Sequence, residues 1–167
     1  MFRRELLIAS VGLLGLPLGA AAETVTAYFE GPETTTLPLS RSIDGKLYLR
    51  TSVMGRDLVL FIDTGAMTLL DMGVARSLGL KLIDTGQSGF GLTGGVGKRI
   101  SGRVDMWLGR LKITGIPVDF IDLAPLRALN KANGMPEFDG LIGAELLTTL
   151  RAKIDFERMT LTLRRPG

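Results

Sequence analysis

One stretch, "LVLFIDTGAMTLLD" at positions 58–71, most constrains what this chain can fold into. Five apolar residues, Leu58 to Ile62, predict a strand that is apolar on both faces. The run ends at Asp63 and turns at Gly65, a residue type that permits backbone conformations other residues avoid. Because burying an unpaired carboxylate is costly, this position indicates that Asp63 has either a structural partner or a chemical task.

The residues around this stretch predict a strand before it and a short helix after it. The upstream strand is half-buried, because apolar and polar positions alternate: Leu47, Leu49 and Val53 against Lys46, Tyr48, Arg50 and Ser52. Downstream, Asp71 predicts a helix N-cap and Gly79 the end of that helix.

The second half of the chain continues the β pattern. Alternating segments fill positions 104–120 and are broken at Gly109 and Gly115. A short helix is predicted from Pro125, and two closing strands lie between positions 154 and 163. The fold class is therefore mostly β, with two or three short helices.

Two missing residue types exclude several chemistries. The chain has no His and no Cys, so a Ser-His pair, a thiol nucleophile, a disulfide and a thiolate metal site are all impossible. No loop has the alternating oxygen ligands of a calcium site, and we expect neither metal nor cofactor. The net charge of +3 is spread along the chain, which argues against a nucleic-acid partner.

The N-terminus has the pattern of an export signal. Arg3 and Arg4 precede an apolar segment, and Ala20 to Ala22 supply small residues for cleavage. We expect a signal peptide at 1–22, a linker or leading strand at 23–36, and the folded domain at 37–165. A retained membrane anchor is the alternative, and the arginine pair leaves both the twin-arginine and the general route open. The mature protein is then periplasmic or secreted, without stable membrane insertion.

A glycine-rich segment, positions 86–102, separates the two halves of the domain. A rigid core element would not contain so many glycines, because each glycine loses much backbone entropy when it is ordered. The composition predicts a mobile hairpin or a covering loop, and a plain surface loop remains the alternative.

Asp-Thr-Gly alone is a weak signal, since an ordinary turn also uses these residues. In context it is more specific. "FIDTGA" follows an apolar strand and precedes a helix, and "DGLIGAELL" with "AKIDFERMTLTL" completes the pattern in the second half. From Lys46 to Arg165 the chain resembles the retropepsin-like aspartic proteases, in particular their bacterial exported single-domain members.

The resemblance implies a single-lobe, closed β-barrel-like fold and a site shared by two copies of the chain. Asp63 of each subunit would meet at the dyad of a homodimer, and the two carboxylates would share one proton. The charged carboxylate would take a proton from water, while the protonated one would polarise the carbonyl of a peptide or protein substrate.

The same resemblance implies supporting residues around Asp63. Thr64 would hydrogen-bond across the dyad, Gly65 would let the backbone approach the carboxylate, and Ala66 would line the cleft. Leu141, Ile142 and Gly143 would pack beside the catalytic turn. Candidate flap residues are Gly91, Gly94, Gly95 and Gly97, with Phe90 as the nearest aromatic residue.

Three functions compete at this point. The first is an aspartic endopeptidase with an acidic optimum and a preference for extended, apolar substrates. The second is a catalytically inactive peptide-binding module on the same fold. The third is a structural cell-envelope β-domain in which Asp63 only shapes a turn. Asp139 is expected to bond backbone and to have no catalytic role.

Overall fold

The computed structural model describes residues 4–7, 26–90 and 96–166. These residues are mostly β, with three short helices, which confirms the predicted class. The strands are β1 (Arg4–Leu7), β2 (Thr26–Glu30), β3 (Thr34–Pro38), β4 (Ser40–Arg41), β5 (Leu47–Val53), β6 (Arg56–Ile62), β7 (Leu69–Asp71), β8 (Ile83–Phe90), β9 (Val96–Leu108), β10 (Leu111–Ile121), β11 (Gly140–Ile142), β12 (Lys153–Asp155) and β13 (Thr160–Arg164). The helices are α1 (Met72–Ser77), α2 (Ala124–Ala132) and α3 (Ala144–Thr149).

Six strands close into a barrel in the order β10, β7, β11, β6, β5 and β9, and β9 pairs again with β10. β2 and β1 extend the sheet from β10, β8 pairs with β9, and β4 pairs with β5. A second sheet, in the order β12, β13 and β3, adds Leu37, Leu161 and Leu163 to the main core. Closure leaves none of the six barrel strands with an unpaired edge along the barrel, while β1 and β8 remain as edge strands.

β6 is apolar on both faces because it contributes to two separate clusters of buried side chains. Leu58 and Leu60 point into the main core, whereas Val59 and Phe61 pack in a second cluster with Phe138 and Leu141. The rings of Phe61 and Phe138 meet edge to face, with centroids 4.9 Å apart. The predicted two-sided burial of this strand is therefore confirmed.

The prediction that Tyr48 lies on the polar face of β5 is wrong. Tyr48 is only 1% exposed and belongs to the second cluster, beside Phe61 on the neighbouring strand. The alternation of β5 is real, since Leu47, Leu49 and Val53 all face the main core. Its other face is covered in part by residues from α2 and the segment before β11, which the local pattern does not reveal.

Several turn and cap predictions are confirmed. The Asp71 carboxylate caps α1 by accepting from the Gly73 amide at 2.7 Å, and Gly79 follows the helix in the left-handed region. Gly109 turns the chain between β9 and β10. Gly115 does not end a strand; it lies at a register shift within β10.

The described part of the N-terminal region is strand. β1 pairs antiparallel with β2, and β2 pairs with β10. Ala27 and Phe29 of β2 are fully buried in the main core, so part of the segment 23–36 packs with the barrel. Most of the predicted signal peptide, 1–22, lies outside the described residues. Within those that are described, no helix is long and apolar enough to span a membrane.

Candidate active site

Asp63 directly follows β6, at a point where three strands come together. β11 lies between β6 and β7, parallel to the first and antiparallel to the second. The chain leaving β6 must therefore pass over the end of β11 before it returns as β7. Residues 63–68 form this crossing, and the Asp63 amide donates to the Ile142 carbonyl at 3.0 Å.

Local hydrogen bonds fix the conformation of the crossing. The Gly65 amide donates to Asp63 Oδ1 at 2.8 Å, and the Ala66 amide approaches the Asp63 carbonyl at 3.4 Å. A Cβ at position 65 would lie 3.3 Å from Asp63 Oδ1, which is a tight contact. Glycine at this position therefore lets the backbone approach the carboxylate.

Contacts from the start of α3 support the crossing from below. The Ala144 amide donates to the Ala66 carbonyl at 2.8 Å, and the Gly143 amide donates to Thr68 Oγ1 at 2.9 Å. A Cβ at Gly143 would lie 2.3 to 2.4 Å from three backbone atoms of residues 66–68. Only glycine fits between these two segments of chain.

Two supporting residues were missed by sequence reasoning, Thr68 and Glu145. Thr68 is buried, and its amide donates to Glu145 Oε1 at 2.7 Å while its hydroxyl accepts from Gly143. The two residues are 77 positions apart in the chain. No local pattern signals such a pairing, because a Thr before a strand and a Glu in a first helical turn are both ordinary.

Exposure differs sharply along the crossing. Asp63 and Ala66 are half-buried, Thr64 and Gly65 are exposed, and the Met67 residue is 53% exposed. Leu141, Ile142 and Gly143 are all buried beneath them. The structure thus brings the predicted site residues together in one place, with 141–143 as the floor and 63–67 as the accessible surface.

Asp63 and Thr64 keep most of their hydrogen-bonding capacity. In the part of the chain that the structure describes, the Gly65 amide is the single donor to the Asp63 carboxylate. Across the same residues, Thr64 Oγ1 has no hydrogen bond and Asp63 has no ion pair. Both side chains therefore keep hydrogen-bonding capacity that no other described residue uses.

Two other carboxylates near the site are engaged inside the chain. Asp139 Oδ2 accepts from the Val59 amide at 2.9 Å, which confirms the predicted backbone role. Asp71 is 2% exposed, accepts from the Leu123 amide at 2.9 Å, and lies 3.4 Å from the Arg127 guanidinium. Both tie neighbouring elements to the strands that carry the crossing.

The turn between β4 and β5 carries a charged pair. The Lys46 ammonium and the Ser42 hydroxyl both bond the Asp44 carboxylate. The Lys46 bond, followed by the Ser42 bond, lowers the pKa of Asp44 to about 2. The same bond raises the pKa of Lys46, and the Asp63 carboxylate adds a smaller contribution.

The glycine-rich segment starts and ends as an antiparallel pair of strands. β8 pairs with β9, with Gly89 opposite Gly97 and Phe90 opposite Val96. The remaining candidate flap residues, Gly91, Gly94 and Gly95, lie outside the described residues. A flap over bound substrate stays a prediction. Among residues 4–7, 26–90 and 96–166, no cluster of three or more Asp or Glu side chains could hold a metal ion.

Comparison with known proteins gives a consistent result. A family model described as aspartyl protease matches residues 49–146, more than half of the chain, and this range contains both the crossing and its floor. No curated protein is similar enough in sequence to be matched.

Solved structures that resemble this one include the following two. A retropepsin-like aspartic protease from Rickettsia conorii has a TM-score of 0.52 and 20% sequence identity, covering 80% of this chain and 93% of that one. The retroviral protease-like domain of Ddi1 from Leishmania major has a TM-score of 0.48 and 17% identity, covering 71% and 87%. The first likeness concerns the fold alone and confirms the predicted retropepsin-like, single-lobe architecture.

Proposed function

Because this chain belongs to the aspartyl protease family, we propose that it is an endopeptidase whose two Asp63 carboxylates, one from each copy in a homodimer, activate a water molecule. One observation carries this proposal. The crossing is held by three hydrogen bonds: the Asp63 amide donates to the Ile142 carbonyl, the Ala144 amide to the Ala66 carbonyl, and the Gly143 amide to the Thr68 hydroxyl. The Asp63 carboxylate nevertheless receives one described hydrogen bond, from the Gly65 amide. Such a rigid turn with an open carboxylate is suited to positioning a general acid or base.

The second carboxylate must come from another copy of the chain. Asp139 begins the Asp-Gly-Leu stretch of the second half, but its carboxylate already accepts a hydrogen bond from the Val59 amide. Asp71 is buried and already has three partners. Within the described residues this leaves Asp63 as the open carboxylate at the crossing, and a symmetric dimer brings two of them together.

In the proposed dimer the chemistry follows from like charges at close range. Two carboxylates about 3 Å apart cannot both ionise, so they hold one proton between them. The ionised member removes a proton from water as that water attacks the peptide carbonyl. The protonated member gives its proton to the carbonyl oxygen, which produces a tetrahedral diol. As the C–N bond breaks, the carboxyl that took the proton from water passes it to the leaving amine, and the other carboxylate takes back the proton of a diol hydroxyl. No covalent intermediate is needed, and the absence of His and Cys is no obstacle.

We further propose extended peptide or protein substrates and an acidic to mildly acidic optimum. The exposed Met67 and half-buried Ala66 adjoin Asp63, so apolar side chains near the scissile bond fit this surface best. An acidic optimum follows because the reactive form of the pair carries one proton. Export to the periplasm or the medium after removal of residues 1–22 remains part of the proposal.

The first experiment compares Asp63→Asn with a matched control, Asp139→Asn, in a peptide-library cleavage assay across pH. We expect Asp63→Asn to lower kcat/KM by about 10²- to 10⁴-fold. Asp139→Asn should keep activity, because an amide oxygen can still accept from the Val59 amide. Undiminished cleavage by Asp63→Asn, insensitive to a transition-state-mimicking aspartic protease inhibitor, would refute the proposed mechanism.

A second experiment asks whether two copies share one site. Adding an equal amount of Asp63→Asn protein to wild type at a fixed wild-type concentration forms mixed dimers with one Asp63 each. A shared site predicts that cleavage falls to about half, whereas independent sites predict no change. A protein that sediments as a monomer at every concentration and binds peptide without cutting it would instead be a peptide-binding module.

A further inference from the structure

The turn between β4 and β5 lies next to the Asp63 end of β6. Tyr48 on β5 pairs with Phe61 on β6 in antiparallel register. Continuing this register by two residues places Lys46 opposite Asp63, and residues two apart on a strand share a face. The Asp63 carboxylate also helps to raise the pKa of Lys46, which agrees with this placement. Lys46, the residue just before β5, therefore places a positive charge beside Asp63.

Lys46 does not act as a lone charge, because Asp44 holds it. Its ammonium bonds Asp44 Oδ2, and its amide approaches Asp44 Oδ1 at 3.4 Å. The Ser42 hydroxyl bonds the same carboxylate, and the Ser42 amide donates to the Lys46 carbonyl at 2.9 Å. The turn is thus closed on itself with one positive and one negative charge, directly beside the proposed site.

We propose that Asp44 and Lys46 are positioning residues whose ion pair sets the net charge beside the Asp63 carboxylates. The inference rests on the proposed function. It adds that this ion pair influences the pH range in which the proposed protease works. Lys46 alone would favour the ionised form of a nearby carboxylate, and Asp44 alone would oppose it. Because the bonds from Lys46 and Ser42 lower the pKa of Asp44 to about 2, both charges are present over the acidic range in which the carboxylate pair works, and they act on it in opposite directions.

Other titratable groups around Asp63 do not replace this pair. The Tyr48 hydroxyl is buried, and burial raises its pKa, so it stays neutral. Glu145 on α3 is bonded through Oε1 to the Thr68 amide, and its Oε2 is buried without a described partner. Asp71 before α1 is paired with Arg127. Glu145 and Asp71 are unchanged in the variants below, and Tyr48 is replaced only in a control that keeps the charge.

The test follows the Asp63 carboxyl carbon by NMR titration, together with the acidic limb of the kcat/KM profile. Asp44→Asn should move both midpoints to lower pH and Lys46→Met should move both to higher pH. Each shift should be roughly half a pH unit, the order of effect that Coulomb's law gives for one neighbouring unit charge at a solvated surface. The double variant should return close to wild type.

Lys46→Arg keeps the charge, and Tyr48→Phe removes the neighbouring hydroxyl without changing charge; both should leave the midpoints in place. A purely structural turn would give no shifts, or shifts in the same direction for both single variants, and either result overturns the inference. Failure of this inference can be distinguished from failure of the proposed function. Cleavage that survives Asp63→Asn ends the protease mechanism, whereas the NMR midpoints of Asp63 test the ion pair even in an inactive protein.

Discussion

Gly143→Ala is the substitution that tests most directly how the site is held. Gly143 lies between the floor strand β11 and α3, and the backbone of residues 66–68 passes against it. An added Cβ would lie 2.3 Å from the Met67 carbonyl carbon and 2.4 Å from both Ala66 O and Thr68 N. All three are backbone atoms, so no side chain can rotate to relieve the overlap.

The size of the effect follows from this geometry. Ordinary carbon contacts lie near 3.5–4.0 Å, so the two segments must separate by more than about 1 Å. Overpacking of this kind costs about 1–3 kcal/mol, and the backbone identity of the contacts puts Gly143→Ala near the upper end. Separation also stretches the bonds from Gly143 to Thr68 and from Ala144 to Ala66, which are now 2.9 and 2.8 Å. We expect a loss of about 3 kcal/mol in the free energy of unfolding.

Urea unfolding followed by the fluorescence of Trp107, the single tryptophan, measures this loss. The matched control is Gly134→Ala, where a Cβ meets nothing within 4 Å but φ is +68°. Its cost should be about 1 kcal/mol, from the left-handed backbone alone. Cleavage by Gly143→Ala should also fall under conditions where it remains folded. Equal costs for the two variants would refute the account of Gly143 as a packing requirement.

Three further predictions concern the network around the site. Thr68→Val removes the acceptor of the buried Gly143 amide and should lower the free energy of unfolding by about 1–3 kcal/mol. Thr68→Ser keeps the hydroxyl and should lose much less; equal losses for the two variants would contradict this. Asp71→Ala leaves the amides of Gly73 and Leu123 without their acceptor and should cost about 3 kcal/mol or more by urea unfolding, and a change under 1 kcal/mol would refute it. Because the pKa of Asp44 is lowered to about 2, its contribution to stability is present above pH about 4 and is lost as the pH falls toward about 2. The difference in the free energy of unfolding between wild type and Asp44→Asn should therefore shrink on acidification. A difference that stays constant with pH would argue against the ion pair.

Local sequence patterns predict most elements of this fold. The two-sided strand at Leu58–Ile62, the Asp71 cap and the helix after Pro125 all follow from residue type and periodicity within a few positions. Tyr48 shows where this fails. A tyrosine in an alternating strand can lie on either the buried or the exposed face. Tyr48 is buried because its face of β5 lies in one cluster with Leu123 and Phe138, which come from distant parts of the chain.

The site is only partly visible in the sequence for the same reason. Asp63, Thr64 and Gly65 form a recognisable motif, and the stretch that contains Gly143 adds to it. Thr68 and Glu145 were not predicted because their contact joins residues 77 positions apart. The charged turn at Asp44 was missed as well. Its relation to Asp63 depends on the β5–β6 register, which is fixed by burial rather than by any motif.

These contacts indicate which parts of the proposed site a single copy already orders and which part the proposed dimer would add. Within one copy, β11 and the start of α3 already hold the crossing, through the bonds of Asp63 to Ile142, Ala144 to Ala66 and Gly143 to Thr68. The side chains of Asp63 and Thr64 remain available in that single copy. Association therefore does not have to order the crossing, and the entropy cost of fixing it is met when each copy folds. If the proposed dimer is the active form, activity should depend steeply on protein concentration, while the geometry around each Asp63 should change little between monomer and dimer.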